Sequence, residues 1–286
     1  MLTTISRWNR WGGASLDPGI PRDLVPTLDP FLDSKDVVGL VGPRRAGKST
    51  VLFQLMDRLE VRGVLRPAML HLNLEEPALA PELGADMLER AYRTWRQHVW
   101  PRGRAWLFFD EVQAVPGWER WVRARAGTED IKFFVTGSSS ALLSRELGTL
   151  LTGRHLTFRV HPLSFCEFLR FRGIEPPTQP ELVEAPAPLL HALHEYLQWG
   201  GFPEVVLATD VRRKELLLKQ YFDDVLYRDV ALRHRVRDVP ALRALAVHLL
   251  THTASLVSFQ RLAKVLQISP QAARAYPLAT PRVRLR

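Results

Sequence analysis

The sequence contains a single cysteine, Cys166, and no apolar run long enough to cross a membrane. One cysteine excludes an intramolecular disulfide, and with it the small disulfide-bonded proteins of the secreted type. Arg7, Trp8 and Arg10 stand where a signal peptide would place an apolar core. These absences predict a cytoplasmic protein with no membrane partner.

Acidic residues are scarce in the second half of the chain. The 286 residues carry a formal net charge of +9; residues 151–286 hold 19 Lys and Arg against 12 Asp and Glu, whereas residues 1–150 hold 20 against 18. A basic excess of this kind suits a polyanionic partner such as DNA. A solvated basic surface explains the same excess, so both interpretations stay open.

The clearest pattern in the chain is the run from Gly42 to Ser49. It matches G-x-x-x-x-G-K-S, the phosphate-binding P-loop. The apolar run Val37–Val41 precedes it and predicts a buried strand, and a helical pattern follows from Ser49 to Arg62. A strand, a glycine loop and a helix form the context that this motif requires.

The chemistry of phosphate binding explains the residue types in this loop. Gly42 and Gly47 are expected to adopt backbone angles that let successive N–H groups wrap a phosphate. We predict that Lys48 reaches the β- and γ-phosphates and that the Ser49 hydroxyl ligates Mg²⁺. The predicted nucleotide-binding residues are Gly42, Pro43, Arg44, Arg45, Ala46, Gly47, Lys48, Ser49 and Thr50.

Strand patterns recur after the P-loop and alternate with helical patterns. The predicted strands are 68–73, 106–109, 131–136 and 155–160. Strands that alternate with helices predict an α/β fold with a parallel five-stranded sheet, helices on both faces and the ligand at the carboxyl ends of the strands. Beyond Pro162 only helical patterns appear.

Two acids end the third predicted strand. The segment Phe108-Phe109-Asp110-Glu111 resembles a Walker B element, in which Asp110 binds Mg²⁺ together with Ser49. We predict that Glu111 orients or deprotonates the attacking water. Surface strands often end in acids, so the pattern gains its weight from the P-loop that precedes it.

Ser138 and Arg154 complete the predicted catalytic set with Lys48 and Glu111. Ser138 follows the fourth strand, where a polar residue can touch the γ-phosphate or the water; the alternative is a Gly-Ser-Ser-Ser turn that caps the next helix. Arg154 starts the fifth strand, at the end opposite the nucleotide. We expect it to reach a neighbouring subunit as an arginine finger, or else to bind a helix carboxylate.

These segments resemble the bacterial and archaeal AAA-type ATPases that carry a C-terminal domain of unknown function. The matching segments, besides the P-loop, are 109–113, 116–119, 136–140, 151–154, 161–168 and 200–204. The resemblance implies an AAA-like P-loop NTPase core of the kind with an additional strand, an all-α lid and a winged-helix module. Relatives usually continue further, and Pro277–Arg286 has no fold signal, so a truncated end is expected.

The chain is accordingly predicted to have five parts. They are an arm at 1–35, a P-loop core at 36–161, a helical lid at 162–239, a partial winged helix at 240–276 and an irregular tail at 277–286. Ser258–Tyr276 has the pattern of a helix-turn-helix, which would contact DNA or serve only in the lid. Arg228, Arg233, Arg235 and Arg237 would bind phosphates or pair with nearby aspartates.

Three functions fit this sequence. The leading prediction is an Mg-dependent ATPase, a hydrolase that acts as a nucleotide-driven switch or motor and assembles as a homo-oligomer. The alternatives are a DNA-binding nucleotide switch with little turnover and a non-hydrolysing remnant. The sequence contains no Asn-Lys-x-Asp motif, the motif that recognises the guanine base, and this favours ATP over GTP as the ligand.

Overall fold

The computed structural model describes residues 1–80, 83–138, 155–176, 187–232, 236, 238–252, 260 and 263–264. The chain divides into two compact units, Met1–Lys214 and Glu215–Arg286. The described α-helices are α1 (Leu2–Ser6), α2 (Leu24–Thr27), α3 (Lys48–Val61), α4 (Ala85–His98), α5 (Trp118–Thr128), α6 (Phe165–Phe171), α7 (Ala187–Trp199), α8 (Pro203–Leu207), α9 (Val211–Asp224) and α10 (Val239–Thr251).

A parallel five-stranded sheet forms the centre of the first unit. Its strands are β1 (Val37–Val41), β2 (Met69–Asn73), β3 (Ala105–Asp110), β4 (Ile131–Gly137) and β5 (His155–Arg159), in the order β2-β3-β4-β1-β5. The predicted α/β fold and the parallel five-stranded sheet are therefore confirmed, with strand ends within two residues of their predicted positions.

The side chains of β3 explain why this sheet carries helices on both faces. Leu107 and Phe109 point to a core shared with α4 and α5, whereas Trp106 and Phe108 point to a second core shared with α3. Every residue of β3 is buried, as expected for an interior strand of a parallel sheet. On the α3 side, the rings of Phe108 and Phe134 stack with their centroids 4.9 Å apart.

The strand order brings the loop after β1 next to the ends of β3 and β4. β1 lies between β4 and β5, with Leu40 opposite both Thr136 and Phe158. The carboxyl ends of β1, β3 and β4 consequently share one edge of the sheet, where ligands bind in folds of this type.

The N-terminal arm covers the outer edge of β2. The side-chain amide of Asn9 donates to the His71 carbonyl at 2.8 Å, and its oxygen accepts from the His71 N–H at 2.7 Å. The indole N–H of Trp11 donates to the Met69 carbonyl at 3.1 Å. The arm thus supplies edge hydrogen bonds in place of a sixth strand.

The spacing of Leu24, Val25, Leu28, Phe31 and Leu32 predicts one short helix, but the structure has two shorter ones in its place. Helix α2 ends at Thr27, and a 3-10 turn, Asp29–Phe31, follows it. Pro30 has no N–H to donate and disfavours α-helical angles at Asp29, so a continuous helix cannot pass this point.

Helices and turns make up the described residues after Arg159. In the second unit, α9 continues as a π-helix, Val225–Leu232. Asp223 pairs with Arg243, and of the four arginines considered above only Arg228 lies among the described residues. Within the described residues no helix is both long and apolar enough to cross a membrane.

Several predictions from the sequence fall on residues that the structure does not describe. Arg154, Ser139 and Ser140 lie outside the described residues, as do Arg233, Arg235 and Arg237. Most of the predicted helix-turn-helix at Ser258–Tyr276 lies outside them as well.

Candidate functional site

The P-loop connects β1 to α3 through two residues in the left-handed region. Arg45 has φ of 65° and Gly47 has φ of 91°, and Lys48 then begins α3. Left-handed angles at alternate residues reverse the direction of the peptide groups, which is the backbone geometry of an anion-binding nest. Gly47 therefore has the conformational role that the sequence predicted for it.

Gly42 is a glycine for a different reason from the one predicted. It is not among the residues with positive φ, so its backbone angles do not require glycine. A Cβ at this position would instead lie 2.1 Å from the Val160 carbonyl oxygen. The close approach of the chain after β5, which the sequence did not reveal, excludes every larger residue here.

Lys48 and Glu111, two of the predicted catalytic residues, are in contact. The Lys48 Nζ lies 3.1 Å from the Glu111 Oε1 and 3.3 Å from the carbonyl oxygens of Gly42 and Pro43. The Lys48 side chain is only 4% exposed. Its ammonium is therefore held inside the P-loop and faces the acid that follows β3.

Glu111 itself has an uncommon backbone. Its φ of 59° and ψ of 53° place it in the left-handed region, where a residue other than glycine is strained by about 1 kcal/mol or more. The Gln113 amide donates to its Oε2 at 2.5 Å. The carboxylate is thus aimed by a strained turn and is held at both oxygens, one by Gln113 and the other by Lys48.

Thr136 on β4 organises the two acids, a role that the sequence analysis does not predict. Its hydroxyl donates to the Asp110 Oδ1 at 2.5 Å and accepts from the Glu111 N–H at 2.8 Å. Thr136 is completely buried. Phe109 pairs with Val135, so the next residues, Asp110 and Thr136, adjoin across β3 and β4; only this register could have revealed the contact.

Ser138 follows Thr136 at the same edge of the sheet. Its hydroxyl oxygen is buried and finds no hydrogen-bond partner in the part of the chain that the structure describes. A buried hydroxyl without a partner is costly unless a ligand or water satisfies it. This is the geometry expected of a residue that contacts a bound group.

The donor set suits a hard divalent cation. Mg²⁺ prefers carboxylate and hydroxyl oxygens, and it keeps several waters rather than an all-protein cage. Asp110 supplies a fixed carboxylate, and Ser49 supplies a hydroxyl in the first turn of α3. The assignment of Mg²⁺ to these two residues remains a prediction.

A buried histidine, His71, lies on β2, the strand next to the one that ends at Asp110. The His71 Nδ1 lies 3.1 Å from the Trp8 carbonyl, and its Nε2 has no hydrogen-bond partner among the described residues. Burial lowers the pKa of His71, against the opposing influence of the Asp110 charge. The ring is therefore neutral, with Nδ1 as donor to Trp8.

Two carboxylates hold the arginines of the P-loop. Arg44 pairs with Glu75, just after β2, at 2.9 Å, and Arg45 lies 3.7 Å from Glu204 at the start of α8. Pro203, which precedes Glu204, lies 3.9 Å from the point where a Cβ on Gly47 would stand. Segment 200–204, noted above only for its family resemblance, therefore packs against the P-loop.

Family models and relatives of known sequence match most of this chain. Residues 34–169 match a family model described as an AAA domain, and residues 190–278 match one described as a domain of unknown function (DUF8612). An uncharacterized protein of Methanocaldococcus jannaschii is 34% identical over 228 residues, which are 80% of this chain and 49% of that protein. One of Haemophilus influenzae is 32% identical over 238 residues, which are 82% of this chain and 56% of that protein.

The chain spans about half the length of these two relatives. Among solved structures, RuvB of Thermotoga maritima aligns with a TM-score of 0.45 and 15% identity, over 90% of this chain and 85% of that one. AMPPCP-bound DnaA of Aquifex aeolicus aligns with a TM-score of 0.36 and 15% identity, over 88% of this chain and 84% of that one. On the match to the AAA domain and the P-loop sheet described above, residues 34–169 belong to the AAA-type P-loop family.

Proposed function

We propose that this protein binds Mg-ATP at the P-loop and hydrolyses it to ADP and phosphate, acting as a nucleotide-driven switch or motor. The observation that supports this most directly is the 3.1 Å contact between Lys48 and Glu111. This contact supports the proposal because the ammonium that we propose binds phosphate and the carboxylate that we propose activates water face each other directly.

In this proposal each residue has one task. Lys48 exchanges the Glu111 carboxylate for β- and γ-phosphate oxygens, which releases Glu111 to orient the attacking water and accept its proton. Ser138 donates its free hydroxyl to the γ-phosphate or to the water. Water attacks the γ-phosphorus, the bond to the bridging oxygen breaks, and ADP and phosphate leave.

Magnesium, held by Ser49 and Asp110, would supply charge neutralisation on the β- and γ-phosphates. Thr136 has a supporting role in metal binding, because its hydroxyl fixes the position of the Asp110 carboxylate before any ligand binds. A preset carboxylate avoids reorganisation when the metal binds. The single cysteine is in keeping with a cytoplasmic setting for this activity.

The test measures phosphate release and calorimetric Mg-ATP binding on the same preparations. Glu111→Gln should keep binding and lose turnover by roughly 10²–10⁴-fold, because only proton acceptance is removed. Lys48→Ala should lose affinity by about tenfold or more. Glu119→Gln and Lys35→Ala, which alter residues outside the site, serve as matched controls.

Three results would overturn all or part of this assignment. No heat with Mg-ATP in the wild type would remove nucleotide binding altogether. Binding without phosphate release in the wild type would favour the non-hydrolysing remnant, and turnover unchanged in Glu111→Gln would remove Glu111 from the mechanism.

A second candidate function, a DNA-binding nucleotide switch, has the charge distribution in its favour. Residues 151–286 carry 19 basic against 12 acidic side chains. Binding to duplex DNA through these residues should weaken steeply as salt rises and should differ with and without ATP. A signal that does not respond to salt would remove this candidate.

A further inference from the structure

An arginine of the N-terminal arm reaches the back of the P-loop. Arg22 is 5% exposed, and its Nη1 donates to the Ala46 carbonyl at 2.8 Å. Its Nε donates to Glu167 on α6 at 2.8 Å, and its Nη2 donates to the His161 carbonyl at 2.7 Å. One guanidinium thus joins the P-loop, the chain after β5 and helix α6.

The Ala46 carbonyl depends on this arginine. Ala46 is fully buried and stands between Arg45 and Gly47, the two left-handed residues of the loop. A buried carbonyl without a donor destabilises the conformation that contains it. The Arg22 Nη1 also lies 3.0 Å from the point where a Cβ on Gly47 would stand, so glycine at 47 makes room for the contact.

The other end of the connection is a helix start. Glu167 is the third residue of α6 and forms a capping box with Ser164, whose N–H it accepts at 2.9 Å. It also accepts the Asp23 N–H at 2.8 Å. Burial by itself would raise the pKa of Glu167, but the hydrogen bonds from Arg22, Ser164 and Asp23 outweigh it and hold the pKa below its ordinary value.

Arg22 is itself held in place from α3. Gln54 accepts the Arg22 N–H at 3.0 Å and donates to the Pro18 and Ile20 carbonyls at 2.6 and 2.8 Å. A cavity of about 520 Å³ lies beside the Arg22–Glu167 pair and is lined in part by Tyr196 and Ser164. Helix α6 therefore borders open space on this side.

We propose that Arg22 is a positioning residue that fixes the P-loop through the Ala46 carbonyl and links that loop to helix α6 through Glu167. Binding of polyphosphate at the P-loop is then transmitted to α6, the first helix after the sheet. The transmission rests on the nucleotide binding proposed above, whereas the anchoring of the loop does not.

The first experiment uses the nucleotide-free protein. Arg22→Lys keeps the charge but replaces the three donor nitrogens that reach Glu167, Ala46 and His161 with a single ammonium. Hydrogen exchange should therefore accelerate about tenfold in both 42–51 and 165–171. Arg10→Lys is the matched control, because Arg10 is a half-buried arm arginine that pairs with Asp57 and Glu60 on α3. It should leave both segments at the wild-type rate.

The second experiment adds Mg²⁺ and a non-hydrolysable ATP analogue. In the wild type, exchange should slow in 42–51 and also in 165–171. In Arg22→Lys and Glu167→Gln it should slow in 42–51 only. Ser164→Ala weakens the cap of α6 but leaves the Arg22–Glu167 contact, so it should keep the response of 165–171.

The outcomes separate the two proposals. If the rate of hydrogen exchange in 42–51 is the same in nucleotide-free Arg22→Lys as in the wild type, the anchoring role is overturned. This result does not depend on whether the protein binds nucleotide. A response of 165–171 that persists in both Arg22→Lys and Glu167→Gln would overturn the transmission. A wild type that binds no analogue would overturn the proposed function and the transmission, while the first experiment still decides the anchoring.

Discussion

The Thr136 hydroxyl lies between Asp110 and the backbone of Glu111, donating to the first at 2.5 Å and accepting from the second at 2.8 Å. The proposed metal ligand and the proposed water-activating acid therefore share one buried anchor. Changes at Thr136 should act on the chemistry of both without touching the nucleotide.

We expect Thr136→Val to lower ATP turnover by about 10–100-fold, because small displacements of catalytic groups have effects of this size. Thr136→Ser keeps the hydroxyl and should stay within a few-fold of the wild type. Phosphate release measured over a range of Mg²⁺ concentrations checks both variants. Equal turnover in Thr136→Val and the wild type would show that Asp110 needs no anchor.

Gly42→Ala should destabilise the protein by about 3 kcal/mol or more, because the added Cβ would meet the Val160 carbonyl at 2.1 Å and the backbone must shift. Urea unfolding provides the measurement. Gly127→Ala is the control: it lies within helix α5, and its added Cβ meets nothing within 4 Å. It should be neutral or stabilising by up to about 1 kcal/mol.

The lowered pKa of Lys132 should make the stability of the folded protein depend on pH. Burial lowers its pKa to about 8, although Asp36 and Asp33 oppose the shift. Between pH 8 and its ordinary pKa of 10.5, the unfolded chain binds more protons than the folded one at this residue, so stability rises with pH in this window.

The slope from Lys132 should be on the order of 1 kcal/mol per pH unit. Urea unfolding of the wild type and of Lys132→Met at several pH values isolates this slope from the other groups that titrate in the same range. The difference in unfolding free energy between the two proteins should grow in favour of the wild type from pH 8 to 10.5. A constant difference would show that the pKa of Lys132 is the same in the folded and the unfolded chain.

Arg154 lies outside the described residues and keeps the role proposed from the sequence. Arg154→Ala should bind Mg-ATP normally and lose turnover by roughly 10³-fold or more, as expected of an arginine finger. Mixing Arg154→Ala with Glu111→Gln should restore part of the turnover, because one wild-type arginine can then face one wild-type glutamate. No recovery on mixing, in a protein that is monomeric by light scattering, would remove both the finger and the homo-oligomer.

What could be predicted from the sequence depends on how far apart in the chain the partners lie. The P-loop and the order of strands follow from local patterns, since each strand is a continuous apolar run next to a helical one. Lys48 and Glu111 could be assigned to one site because both follow strands of a parallel sheet.

Contacts that depend on register or on long-range packing could not be found in this way. Thr136 looks like any residue of a buried strand until Phe109 is paired with Val135. Gly42 resembles a flexible glycine until the chain after β5 is seen against it. Arg22 and Glu167 are 145 residues apart, and no pattern connects an arm arginine to a helix cap across that distance.

The edge of β2 bears on how copies of this protein can assemble. Its three outward-facing residues already have partners within the chain: Met69 accepts from Trp11, both backbone groups of His71 bind Asn9, and the Asn73 carbonyl accepts from Glu76. A strand from another molecule would have to displace these bonds before it could add to the sheet. Association through this edge is therefore disfavoured, and any ring or filament must be built through other surfaces of the molecule.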